Sequence, residues 1–340
     1  MSRPARIRLL ALAAAVALTP ALALLPQTVV PTLPTASAAA TCSEAEGGTK
    51  FYPGDNSSRV YNDTFHNGRS IDHALQNYVP QGLGVWSNWN GGSEDLFLVG
   101  MHHRDEEKYA KDEDQPRGLI YGISVSTGRL RGAAYLPHGA HAGSVKTYKG
   151  WLYVQQNTSV IRRYSLKAVR ASFKSAGTQS LGGGKPQAVS GVSFFDIDGG
   201  RLYGGHFNEN GRDWMHRWTI SSKGNITLDR GWGARQVPKK AQGLLVLSNA
   251  YVFSTSSGRN NHSNIYVTRR NYRTNFESTT YRCFEAPVLS QDLVGFGGQT
   301  YLNFEGGADY FDGNFPWTTA DNKIKNLHWA STETLRGMVW

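Results

Sequence analysis

Past residue 40 the apolar positions fall in short bursts closed by glycine or polar residues, the pattern of β-strands and tight turns. Five bursts share one form: "EDLFLVGMHH" from 94, "KGWLYVQQ" from 149, "GGRLYGGHFN" from 199, "SNAYVFSTSS" from 248 and "GGQTYLNFEGG" from 297. Their central aromatics, Phe97, Tyr153, Tyr203, Tyr251 and Tyr301, are 56, 50, 48 and 50 positions apart. A second strand-like motif precedes each: "PQGLGVW", "HAGSVKTY", "VSGVSFFDI", "AQGLLVLS" and the more divergent "APVLSQDLV". A third follows four of them, in "GLIYGIS", "SVIRRYSL", "DWMHRWTI" and "SNIYVTRR", and fourth strands are clearest in "LRGAAYL" and "TTYRCFE".

Three or four antiparallel strands repeating near every fifty residues predict an all-β fold, a five-bladed β-propeller over residues 79–340. One such sheet cannot bury both faces alone, whereas blades packed radially bury each face against a neighbour and leave only short edges. Six or seven blades and a pair of β-sandwiches are the alternative architectures. With 38 glycines and no sustained 3.6-residue period there is little material for helices, and "SLKAVRASF" from 165 is the one helical turn expected, on a blade connection.

The N-terminus has a different character. Arg3, Arg6 and Arg8 precede the apolar "LLALAAAVALTPALALL", and "TASAAA" supplies small residues for cleavage, so residues 1–40 read as a secretory signal peptide. Residues 41–78 are expected to provide a tail and an outer closing strand, with the C-terminal "NLHWASTETLRGMVW" ending near them. Pro20 and Pro26 break the apolar run, and no membrane span is expected. Export makes the two cysteines, Cys42 and Cys283, an expected disulfide that ties the tail to a fourth strand.

The whole chain carries a formal charge of +10; its leader holds three arginines and no acid, which leaves +7 after cleavage. That balance suits contact with anionic surfaces such as wall polymers, whereas the scatter of the lysines and arginines, without a cationic tail, favours plain solubility, and the lack of basic clusters argues against nucleic acid. A monomer is the expected state.

In a propeller the first strands line the central channel, which brings the polar residues at their beginnings, Gln81, His141, Ser190, Gln242 and Glu285, into one ring. The residues after the second strands supply a further set: His102 and His103, Gln155 and Gln156, His206, and Glu305. An axial ligand site built from these groups is the first functional expectation; internal hydrogen bonding between blades is the plainer one. His102, His141 and His206 are the candidate ligands for a transition metal. Glu285 and Glu305 are the candidate carboxylate pair of a glycan-active hydrolase. Calcium is suggested by "DIDGG" and "KDEDQPRG", although neither matches an EF-hand loop and the first also reads as a hairpin turn. Residues 104–117 hold six acids and four bases and form a solvated insertion. Trp residues in "WSNWNGG" and "GRDWMHRWTI" either fill blade interfaces or stack on sugars. No catalytic motif is present, so a non-catalytic binding or scaffold protein, engaging a wall glycan or an extracellular protein, is the leading expectation.

The Ala-rich export signal together with "PQGLGVW", "HAGSVKTYKGWLYV" and "NFEGGADYF" resembles secreted β-propeller proteins of actinobacteria, among them the dispase autolysis-inducing protein. The resemblance implies an exported protein with exposed, transglutaminase-accessible glutamines, for which Gln115 is the candidate. It also implies seven blades, against the five counted from the repeat.

Overall fold

The computed structural model describes residues 58–105, 108, 114–313 and 319–339. The expected signal peptide, the tail up to residue 57 and Cys42 lie outside them. A short helix, α1 (Arg59–Thr64), leads into β1 (Phe65–Ser70). Blade 1 follows with β2 (Tyr78–Trp86), β3 (Leu96–His103), β4 (Arg117–Ser124) and β5 (Leu130–His138). Blade 2 has β6 (Val145–Tyr148), β7 (Trp151–Asn157) and β8 (Val160–Ser165); then come α2 (Leu166–Phe173), β9 (Gln179–Ser180), which joins the outside of blade 1, and β10 (Lys185–Ala188), which completes blade 2. Blade 3 is β11 (Phe194–Asp198), β12 (Arg201–Gly205), β13 (Asp213–Ile220) and β14 (Ile226–Leu228), with β15 (Arg235–Val237) also pairing β13. Blade 4 is β16 (Ala241–Val246), β17 (Ala250–Thr255), β18 (Ser263–Arg269) and β19 (Tyr281–Ala286). Blade 5 takes β20 (Ser290–Phe296), β21 (Gln299–Phe304) and β22 (Asn326–Ser331), and its outer strand is β1 from the other end of the chain. The last helix is α3 (Thr332–Gly337).

Five blades are thus present, as the repeat predicts and as the seven implied by the resemblance does not. The ring closes through the pairing Phe65↔Ala330, His66↔Trp329 and Asn67↔His328. At the centre, β2 packs against β6 and β20, β16 against β11 and β20, and β11 against β6. Such convergence leaves no room for side chains at some inner positions. A Cβ on Gly82 or Gly84 would come closer than 3.0 Å to the backbone of Ala142, Ser144 or Val145, which is why "QGLG" needs its glycines.

The aromatic period has a structural meaning. Phe97 stands opposite Val85, Tyr153 opposite Lys146, Tyr203 opposite Asp196, Tyr251 opposite Val246 and Tyr301 opposite Val294. One ring of inner-strand residues therefore repeats five times, each backed by a buried aromatic that fills the space to the next blade. Burial of each such ring is worth about 2–3 kcal/mol.

The expected helical turn is α2, capped by the Ser165 hydroxyl accepting from Ala168 N. It lays Val169 and Phe173 between blades 1 and 2, where Phe173 meets Trp86 and Trp89. Both of those Trp residues, and Trp218, are interior filler; Trp214 stays exposed. "DIDGG" is a hairpin turn, because Asp198 pairs with Arg201 and both Gly199 and Gly200 have the positive φ that a two-residue turn needs. No helix among the described residues is long and apolar enough to cross a membrane.

Candidate functional site

Antiparallel pairing decides whether the two sets of polar residues share a rim. Tyr78 faces His103, Val79 faces His102, Ala241 faces Thr255 and Ser290 faces Phe304, while His141 N donates to Gln156 O at 2.9 Å. The beginnings of first strands and the ends of second strands therefore meet on one face, the proximal mouth of the channel. In three blades the register slips here by a bulge, between Pro80 and Leu83, Ala241 and Gly243, and Ser290 and Leu293. Each bulge contains a glutamine: Gln81, Gln242 and Gln291. Bulges re-aim side chains, and two of these three line the mouth.

The proximal cavity holds about 320 Å³. Its walls carry the amides of Gln81, Gln155, Asn157 and Gln242, the hydroxyls of Thr158 and Ser193, the His141 ring and Phe207. Among the described residues no carboxylate and no lysine or arginine lines it. Several of these groups are fixed: Gln155 Oε1 accepts from Gly143 N at 2.9 Å, Gln81 Nε2 donates to Glu305 Oε1, and Gln81 O accepts from Asn303 Nδ2 at 2.9 Å. His102 stacks on His141, with ring centres 4.8 Å apart and planes 15° from parallel. His102 Nδ1 lies 3.0 Å from His103 O, so it donates there.

The other predicted residues are placed elsewhere. Gln156 turns aside and accepts from Arg162 Nε at 2.8 Å, so Gln155 is the wall residue. Ser193, not Ser190, lines the cavity, and Phe207 does so where His206 was expected. His206 Nδ1 lies 2.9 Å from Asp213 Oδ2. Partial burial of Asp213 opposes ionisation, but the His206 and Trp214 hydrogen bonds outweigh it and hold the carboxyl below its usual range. His103 sits against Tyr78, and burial lowers its pKa despite the nearby Asp105.

Glu285 changes place most. It belongs to β19, the outermost strand of blade 4, not to the start of an inner strand, and it pairs with His262 at 2.8 Å. Glu305 stays near the axis, so the proposed carboxylate pair shares no wall of this cavity. His102, His141 and His206 do not converge either: stacked imidazoles direct their in-plane lone pairs side by side, and His206 is engaged with Asp213. Among the described residues no group of three or more His, Cys, Asp or Glu is arranged to hold a metal. Gln115 is half-buried and its carbonyl lies 2.7 Å from His138 Nδ1; half of the insertion around it lies outside the described residues. Cys283 is on β19 opposite Tyr266.

The opposite, distal mouth opens into a cavity of about 490 Å³ lined by the five-fold ring of Val85, Lys146, Asp196, Val246 and Val294. Three members are apolar and two are charged. Lys146 Nζ donates to Asp292 Oδ2 at 2.9 Å and to Leu83 O and Leu293 O at 2.6 Å, while Asp196 Oδ2 accepts from Val246 N at 2.7 Å. Burial raises the pKa of both aspartates, more than Lys146 lowers it. The sequence reading passed over Lys146. Aligning the repeats on their central aromatics would have exposed it as a cation at a position that is valine in three blades.

Fold and site together define a five-bladed β-propeller with a neutral polar mouth, a charged waist and a chain-end seam. No protein-family model and no curated protein matches the chain. Among solved structures it is similar to Myxococcus xanthus glutaminyl cyclase, with 13% identity over 71% of this chain and 91% of that one and a TM-score of 0.42. It is similar also to a GH43_1 enzyme from Xanthomonas citri, with 10% identity, coverage of 79% and 91% and a TM-score of 0.40. A third is the Malassezia sympodialis allergen Mala s 1, with 10% identity, coverage of 75% and 78% and a TM-score of 0.42. At that distance the likenesses assign neither activity nor ligand.

Proposed function

We propose that the protein is an exported, non-catalytic binding protein whose proximal mouth takes a neutral, hydroxyl-rich ligand, a wall glycan in the first instance. The observation that carries this reading is the composition of the cavity: amides, hydroxyls, one imidazole and one aromatic ring, with no charged side chain among the described residues that line it. Amides and hydroxyls both donate and accept, which suits sugar hydroxyl groups, and Phe207 offers a ring for a sugar face. Glycoside hydrolysis would need two carboxylates flanking one bond, and the described residues of the walls supply none. The mature charge of +7 expected after export favours residence near anionic wall polymers. Kinship with secreted actinobacterial propellers, including a scaffold role and cross-linking through Gln115, belongs to the same proposal.

The test is calorimetric titration with neutral wall oligosaccharides, alongside an assay for reducing-end release. Binding without release, weakened about fivefold or more by Phe207→Ala or Gln242→Ala, is the expected result. Release of reducing ends, or binding indifferent to both substitutions, would refute it.

A further inference from the structure

Among the ion pairs of the described residues, Lys146 with Asp292 is the one in which both side chains are sealed from solvent, at 4% and 0% exposure. The lysine's three protons are committed to Asp292 Oδ2, Leu83 O and Leu293 O, which leaves it no hand for a ligand. The carboxyl is held from its other side, with Leu83 N donating to Oδ2 and Leu293 N to Oδ1, each at 2.9 Å. A second carboxylate, Asp196, is near enough for Lys146 to act on its charge. The pair joins blade 2 to blade 5 across the channel.

As a plain ion pair this arrangement is costly, because two charges have left water. We propose that Lys146 and Asp292 condense into an intramolecular amide, a covalent staple across the waist of the propeller. The first event is transfer of a proton from Nζ to Oδ2, giving an amine and a carboxylic acid. Burial eases the acid's half of that transfer, pushing the Asp292 carboxyl up to about 6. The freed lone pair, first aimed at Oδ2, has then only to swing onto the carboxyl carbon, which a nitrogen 2.9 Å from the oxygen holds within about 4 Å, close to the separation of a near-attack conformer.

Nζ bonds to Cγ, and negative charge gathers on Oδ1, where Leu293 N already donates. A second proton leaves the nitrogen for Oδ2, with Asp196 the nearby group able to carry it. The Cγ–Oδ2 bond breaks and Oδ2 departs as water. One ammonium and one carboxylate become one amide and one water, so no oxidant, reductant or net proton is required. The water has an exit, since Lys146 lines the distal cavity.

The proposal is independent of what the proximal mouth binds. It is tested on the purified, reduced, full mature chain by intact mass, with the N-terminus determined first. The expected mass is about 18 Da, one water, below the value for the linear sequence, and tandem spectra of a digest should show a branched peptide joining the Lys146 and Asp292 segments. Lys146→Arg keeps the cation but cannot form the amide, and should restore the linear mass. An unmodified wild-type chain, folded and incubated for days at pH 6, would overturn the proposal without any variant. So would a water loss that maps elsewhere, for instance to a cyclised aspartate at Asp312–Gly313.

Discussion

His328 lies on β22 with no exposed surface, edge-on to Phe304 at 4.9 Å, and its Nδ1 is 2.6 Å from the Tyr61 hydroxyl. Tyr61 in turn stacks on Phe65 at 4.6 Å, so this histidine sits under the seam where α1 and β1 close the ring. Burial lowers its pKa from 6.5 to about 3. A depressed histidine contributes stability that is whole above pH 6.5, where both states are neutral, and is lost as pH falls, because the unfolded chain then binds a proton that the folded chain refuses. At pH 4.5 the loss is about 3 kcal/mol, or roughly 5 °C in Tm for a chain of this size. Acid should therefore loosen the closing strand before the other blades.

His328→Gln keeps a side-chain acceptor for Tyr61 and does not titrate. It should start about 1–2 kcal/mol less stable at pH 7, through lost packing, and then fall more slowly with acid. Thermal melts of both proteins from pH 7.5 to 4.5 check this, and hydrogen exchange at pH 4.5 should show β1 opening first. Parallel decline of the two melting temperatures would refute the reasoning, as would uniform exchange across the blades.

Other perturbations follow from the same contacts. Gly84→Ala drives a Cβ into the backbone of Val145 and should cost about 1–3 kcal/mol by urea unfolding, where an unaltered midpoint would count against the close approach. Removing everything before residue 71 deletes β1 and bares the edge of β22; size-exclusion chromatography should show oligomers or aggregate instead of a stable monomer. If Cys42 and Cys283 pair, Cys283→Ser should lower stability by about 4–5 kcal/mol, and reduction of the wild type should reproduce that loss. Tyr153 donates to Gly224 O at 2.9 Å from inside the core, so Tyr153→Phe should cost about 1 kcal/mol in the same unfolding assay.

Much of the architecture was legible in the sequence because each blade writes its own copy. The central aromatics repeat every fifty or so residues since each must fill the same space beside an inner strand, and the glycines of "QGLG" repeat the demand for closeness at the axis. The helix at Leu166–Phe173 and the turn at Gly199–Gly200 were likewise local decisions, fixed by a capping serine and by backbone freedom. What only the tertiary structure decided was direction. Three bulges, each a single extra residue, re-aim Gln81, Gln242 and Gln291, the first two into the channel mouth, and alternation along a strand cannot reveal an inserted residue. Glu285 was assigned to the axis because it stands just before an inner strand in sequence, yet the chain was still running along the rim of blade 4. Lys146 and Asp292 are 146 positions apart and meet only because five blades complete a circle. A periodic sequence determines what the unit is; which side chains confront each other at the centre is settled when the ring closes.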